Sequence, residues 1–163
     1  AVFLRKSGGF QSMGRGDRMI SESRIKVRYA ETDRMGIVYH ANYLVWFEIA
    51  RAEFLDKFGF PYVDMEKAGY MSPVVDVQLR YGTPLTYGDT AIVRTSVSKL
   101  TQAKTEYTYE VYKEGQEIGV DKPCCTGFTS HCLVDSATFR PVSQKRAMPE
   151  LYAAYTAALE AGE

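Results

Sequence analysis

Between Arg24 and Tyr29 the chain alternates strictly, with Ile25, Val27 and Tyr29 on one side and Arg24, Lys26 and Arg28 on the other. That is the pattern of a half-buried strand. A polar stretch from Ala30 follows and closes on Gly36, a residue free to take a left-handed turn. From Tyr39 to Phe58 the period becomes helical, with Leu44, Phe47, Ala50, Phe54 and Phe58 at steps of three and four. Its first turns (Tyr43, Leu44, Val45, Trp46, Phe47) are apolar nearly all round, which predicts a helix covered on most sides. Gly59 and then Pro61 supply its stop.

From Pro73 to Asp135 the pattern is that of strands. Val75, Val77, Leu79 and Tyr81 alternate, and Gly82 to Asp89 turns the chain. Ala91, Val93, Thr95 and Val97 alternate again, followed by Thr105, Tyr107, Tyr109 and Val111, and a last strand spans about Cys124 to Asp135. Met148-Pro149-Glu150 opens a short terminal helix through Leu159, with proline at a favoured first-turn position. The predicted order is one strand, one long helix, then four strands in a meander. Such an α+β chain has one compact solution, a five-stranded antiparallel sheet curled around the helix. The free edges of that sheet are poised to pair with a second copy.

Composition narrows the classes. The 163 residues are 45% hydrophobic and 25% charged, enough apolar side chain for one core without a staple. Lys plus Arg and Asp plus Glu each number 20, and that zero net charge speaks against a nucleic-acid binder. No run approaches the ~20 apolar residues that span a bilayer, so no membrane is expected. Ala1 to Arg18 is rich in Gly, Ser, Arg and Lys and lacks periodicity. We expect 1–18 to be a tag or misassigned extension and 19–163 to form the single domain. Cys124, Cys125 and Cys132 lie within nine residues and do not form a disulfide framework, so a cytoplasmic location is expected. No zinc spacing, P-loop, dinucleotide fingerprint or G-x-S-x-G elbow is present. Cys125 and His131 share a strand face but stand about 20 Å apart at ~3.3 Å per residue, too far for a dyad.

The densest polar cluster, Tyr29, Glu31, Asp33, Tyr39, His40, Asn42 and Tyr43, lies between the first strand and the helix. A helix N-terminus offers unpaired N–H groups and the positive end of a dipole, which together can hold a developing oxyanion. A carboxylate just ahead of it, Asp33, can supply a base or a nucleophile. On spacing alone Asp33 can equally be a turn residue, His40 a cap, and Tyr43, Trp46 and Phe47 core. Glu31 reads as solvated, although a carboxylate two residues from Asp33 would raise the pKa of one of the two. Glu53 and Lys57 read as a solvated i, i+4 pair.

The run from Tyr29 to Leu44, YAETDRMGIVYHANYL, with Arg51 behind it and Pro84-Leu85-Thr86-Tyr87-Gly88-Asp89 further on, closely resembles hotdog-fold acyl-CoA thioesterases. The resemblance is strongest to the 4-hydroxybenzoyl-CoA thioesterase and YbgC/FadM-like branch, and it covers roughly Arg24 to Asp135. It implies a hotdog fold and hydrolysis of an acyl-CoA, or acyl-carrier-protein, thioester. Asp33 would be nucleophile or general base, the His40 backbone N–H the oxyanion donor, and the His40 and Tyr29 side chains aids to water or substrate. Tyr39, Asn42 and Tyr43 would then lie beside substrate. Coenzyme A enters as part of the substrate, and neither a further cofactor nor a metal is implied. Some relatives grip the CoA phosphates with a basic cluster. Here the matching turn offers only Lys99 and Lys104, with Arg80 or a neighbouring subunit to help. The resemblance also implies a homodimer with active sites at its interface and a homotetramer of such dimers. A non-catalytic acyl-CoA-binding module is the alternative from another class. A dehydratase ranks below it, since His40 precedes the body of the helix.

Overall fold

The computed structural model describes residues 18–162. The expected extension at 1–18 therefore lies outside the described residues except for Arg18. The chain runs β1 (Ile20–Lys26), a 3-10 turn (Tyr29–Glu31), α1 (Asn42–Lys57), α2 (Tyr62–Lys67), β2 (Tyr70–Met71) and β3 (Val74–Tyr81). It continues through β4 (Thr90–Leu100), β5 (Lys104–Lys113), β6 (Cys125–Cys132), β7 (Val134–Asp135), α3 (Gln144–Ala147) and α4 (Pro149–Glu160). β1, β3, β4, β5 and β6 form one antiparallel sheet in the order β1-β4-β5-β6-β3.

The sheet wraps α1, as a hotdog fold requires. Trp46, Phe47, Ala50 and Phe54 are fully buried on the inner side of the helix. Phe47 stacks face to face on Tyr109 of β5, ring centroids 4.2 Å apart, and Phe54 meets Tyr107 edge-on. β6 makes room with Gly127: a Cβ there would stand 2.9 Å from Phe47 Cε2 and collide with the Gln78 carbonyl oxygen of β3. α4 completes the core with Leu151 and Tyr155, whose hydroxyl is hydrogen-bonded to that of Tyr107 at 2.7 Å.

Four details depart from the pattern-based expectation. The four later strands are not a plain meander: β4, β5 and β6 are, but β3 lies beyond β6 at the far edge. The Gly82–Asp89 link makes this possible by crossing the end of the helix. Its Leu85 is buried there, and its carbonyl accepts the Val38 N–H at 2.9 Å. β1 starts at Ile20 and ends before Tyr29, because the Glu31 carboxylate takes the Arg28 N–H at 2.8 Å and turns the chain. The last predicted strand breaks at Leu133, and Val134–Asp135 pairs separately with Tyr70–Met71. Lys57 donates to the Ile20 carbonyl at 2.9 Å, so it anchors the start of β1.

Candidate active site

The loop between β1 and α1 is a tight hairpin. Thr32 and Val38 form an antiparallel bridge, the Asp33 N–H donates to the Ile37 carbonyl at 2.9 Å, and Gly36 (φ 77°) makes the turn. Asp33 sits on one arm, half-buried, and one carboxylate oxygen accepts the Met35 N–H at 2.8 Å. This is the turn geometry expected of an aspartate, and it leaves the second carboxylate oxygen available. The other arm leads through Tyr39 and His40 into α1.

At the helix entrance the Asn42 N–H donates to the Tyr39 carbonyl at 2.9 Å, and Ala41 caps the helix without a side-chain bond. No group among the described residues accepts the His40 N–H. It stands at the positive end of a 16-residue helix, the position an oxyanion donor needs. The His40 ring is exposed and lies against Tyr39 at 4.2 Å between centroids. The His40 carbonyl accepts the Tyr81 hydroxyl of β3 at 2.8 Å.

The remaining candidates are placed as follows. Asn42 is half-buried and its Nδ2 donates to the Glu31 carbonyl at 2.8 Å, so its amide is spent on the loop. Tyr43 is buried between Trp46 and Tyr81, and burial pushes its hydroxyl up to about 12. It packs as the core residue its helical spacing indicated. Tyr29 is 77% exposed on the 3-10 turn, edge-on to Tyr87 at 5.6 Å. Lys99 pairs with Glu106 at 3.2 Å near the end of β4. Asp33 lies beyond the other end, where Lys26 pairs with Thr90, so nine strand steps put Lys99 about 30 Å away within one chain. Lys104, opening β5, stands at that same distant end.

Two residues of the site escaped the pattern reading. Glu31, expected in solvent, is buried. Its Oε1 accepts the Trp46 indole N–H and the Arg28 guanidinium, both at 3.0 Å. Burial raises its pKa, but the donors from Arg28 and Trp46 outweigh that and hold the carboxyl below its ordinary value. Tyr81 alternates as a strand residue, and its reach to His40 has no signal in the local sequence.

Among the described residues no cluster of three His, Cys, Asp or Glu side chains is placed to hold a metal. Both ring nitrogens of His131 are engaged, by the Ser72 carbonyl and the Thr129 hydroxyl, and burial pushes the Cys125 thiol up to about 12. Neither is positioned as half of a dyad. Among the described residues no helix is long and apolar enough to cross a membrane.

Residues 27–154 match the thioesterase-like superfamily. YneP of Bacillus subtilis (strain 168) is 45% identical over 136 residues, 83% of this chain and 95% of its own length. The acyl-CoA thioesterase YbgC of Helicobacter pylori (strain J99) is 29% identical over 135 residues, 80% of this chain and 98% of that one. Among solved structures, a DHNA-CoA thioesterase from Staphylococcus aureus superposes with a TM-score of 0.78 at 39% identity, covering 84% of this chain and 89% of that one.

Proposed function

The chain belongs to the thioesterase-like superfamily, and from that premise we propose that it hydrolyses acyl-CoA thioesters, with Asp33 as the reacting carboxylate and the His40 N–H as oxyanion donor. The observation that carries this reading is the hairpin that sets Asp33 opposite Ile37, three residues ahead of His40 at the entrance of α1, whose N–H has no acceptor among the described residues. A thioester carbonyl there would accept that N–H, and charge developing on its oxygen would be stabilised by the helix terminus.

Asp33 can act in either of two ways. As nucleophile, its free oxygen adds to the carbonyl carbon, the C–S bond breaks, coenzyme A leaves as a thiolate that takes up a proton, and water cleaves the resulting anhydride. As general base, it takes the proton of a water that attacks the carbon directly. A single turnover in ¹⁸O-water tests the first: label transferred to Asp33 requires water to have opened an anhydride at the Asp33 carboxyl carbon. An acyl-carrier-protein thioester presents the same reacting bond and is a second substrate class to assay.

The site is open in one protomer, since Tyr29, Met35, Tyr39, Tyr81 and Tyr87 around it are all exposed. A homodimer formed edge to edge along β3 would close it. β3 is exposed over nearly its whole length, with Val74, Val75 and Val77 each at least 41% exposed. Antiparallel pairing there would set the Lys99 and Lys104 end of one sheet toward the Asp33 end of its partner, which suits a shared grip on the CoA phosphates. Association of such dimers into a tetramer follows the family resemblance. The free state of all three cysteines suits a reducing compartment, the cytoplasm. Steady-state hydrolysis of a panel of aliphatic and aromatic acyl-CoAs tests the proposal. Turnover of at least one class is expected, and tight binding without turnover would overturn it in favour of a binding module.

A further inference from the structure

Glu31 joins more segments of the site than any other residue there. One oxygen of its buried carboxylate accepts from the Trp46 indole and the Arg28 guanidinium, and the other accepts the Arg28 N–H at 2.8 Å. Its backbone carbonyl accepts two further donors, the Tyr39 N–H and the Asn42 Nδ2, each at 2.8 Å. These bonds tie the end of β1, both arms of the hairpin and the first two turns of α1 to one residue. Asp33 lies two positions after Glu31 on one arm, and His40 lies one position after Tyr39 on the other. The distance between the reacting carboxylate and the oxyanion donor is therefore set across the Glu31–Tyr39 pair.

The carboxylate itself is not placed to react. Its side chain is 6% exposed and both oxygens are occupied. The donors from Arg28 and Trp46 outweigh the cost of burying it, so the ionised group also adds to stability. Arg28, with its side chain 72% exposed, is free to return to water when the charge is removed. What an apolar side chain of the same volume could not do is hold three donors from two elements in one geometry. We infer that Glu31 is a positioning residue of the thioesterase, a clamp between strand, hairpin and helix that holds Asp33 and the His40 N–H in register for attack. This rests on the reading of Asp33 and His40 given above.

The test is Glu31→Gln, compared with wild type and Asp33→Asn. Glutamine keeps size and one acceptor oxygen, but turns an NH2 toward either the Trp46 indole or the Arg28 N–H, where donor would face donor. The expected result is a fall in kcat of at least tenfold with KM within twofold in a folded variant whose melting temperature is lowered by the buried donor–donor contact. Because Trp46 is the single tryptophan of the chain and its indole donates to Glu31, its emission should change in the same variant. Glu114→Gln, at the exposed Arg24–Glu114 pair, should leave kcat unchanged. Wild-type kcat in folded Glu31→Gln, while Asp33→Asn is inactive, would overturn the clamp and leave the catalytic reading standing. Wild-type kcat in Asp33→Asn would overturn both. If Glu31→Gln does not fold, 3-benzothienylalanine in place of Trp46 removes the indole donor and keeps the buried ring system. A threefold or greater loss of kcat at constant KM supports the clamp there, and unchanged kcat overturns it.

Discussion

The hydroxyl of Tyr81, on the edge strand β3, donates at 2.8 Å to the carbonyl of His40 at the entrance of α1. It links the strand proposed to meet a second copy with the peptide proposed to hold the oxyanion. Tyr81→Phe removes one hydrogen bond to an exposed carbonyl, a net loss of about 1 kcal/mol. Spent on holding the transition state, that is about fivefold in kcat. The expected outcome is a fivefold lower kcat with native thermal stability, checked by steady-state kinetics and a melting curve. Unchanged kcat would remove Tyr81 from the site.

The exposed face of β3 predicts the assembly. Lysine at Val77, 41% exposed on the free edge, should block edge pairing at little cost to the fold. Sedimentation should show Val77→Lys as a monomer with kcat/KM reduced at least tenfold. With Val77 kept, Lys104→Ala should raise KM for CoA esters and leave kcat unchanged. A Val77→Lys dimer with full activity would refute pairing through this edge.

A buried polar chain predicts acid sensitivity. Arg51 donates to the Tyr109 hydroxyl, which donates to Thr129, which donates to His131 Nε2, while His131 Nδ1–H donates to the Ser72 carbonyl. The direction follows from an end that can only donate and an end that can only accept. Burial, aided by the Arg51 charge, lowers the His131 pKa from 6.5 to about 4, so the fold holds the neutral ring. The unfolded chain thus binds more protons between those values. This stability is complete above pH 6.5 and is lost as pH falls toward 4, the loss reaching about 2 kcal/mol at pH 5. Urea midpoints at pH 7.5 and pH 5 should differ accordingly in wild type and far less in His131→Gln.

Gly127→Ala should lower stability by about 2 kcal/mol, or a melting temperature about 4–8 °C lower. The added methyl meets the Phe47 ring that stacks on Tyr109, and the Gln78 carbonyl of the neighbouring strand. An exposed strand glycine would instead gain from alanine. A raised melting temperature would show that Phe47 can move aside.

What could be read from sequence followed the range of the forces involved. The long helix announced itself because its apolar residues share a face within a few turns, and Gly59, with φ 83°, stops it as expected. It begins at Asn42, not Tyr39, because a turn bond from Asn42 to Tyr39 holds the preceding residues outside. The site motif was legible because Asp33, His40 and the helix start are neighbours along the chain. The burial of Glu31 was not, since it depends on Trp46, fifteen positions on. Tyr81 lies 41 positions from His40 and comes to it only because β3 lies across the sheet from β1. The same placement, at an edge with no neighbour in the single chain, leaves Val75 and Val77 exposed where alternation alone predicted a half-buried strand.

The most direct measurement compares Asp33→Asn with wild type on the best acyl-CoA substrate, with affinity for coenzyme A measured on the same samples. The account predicts loss of kcat by at least a hundredfold with coenzyme A affinity within twofold of wild type. Asp33→Asn that turns over at the wild-type rate would contradict it.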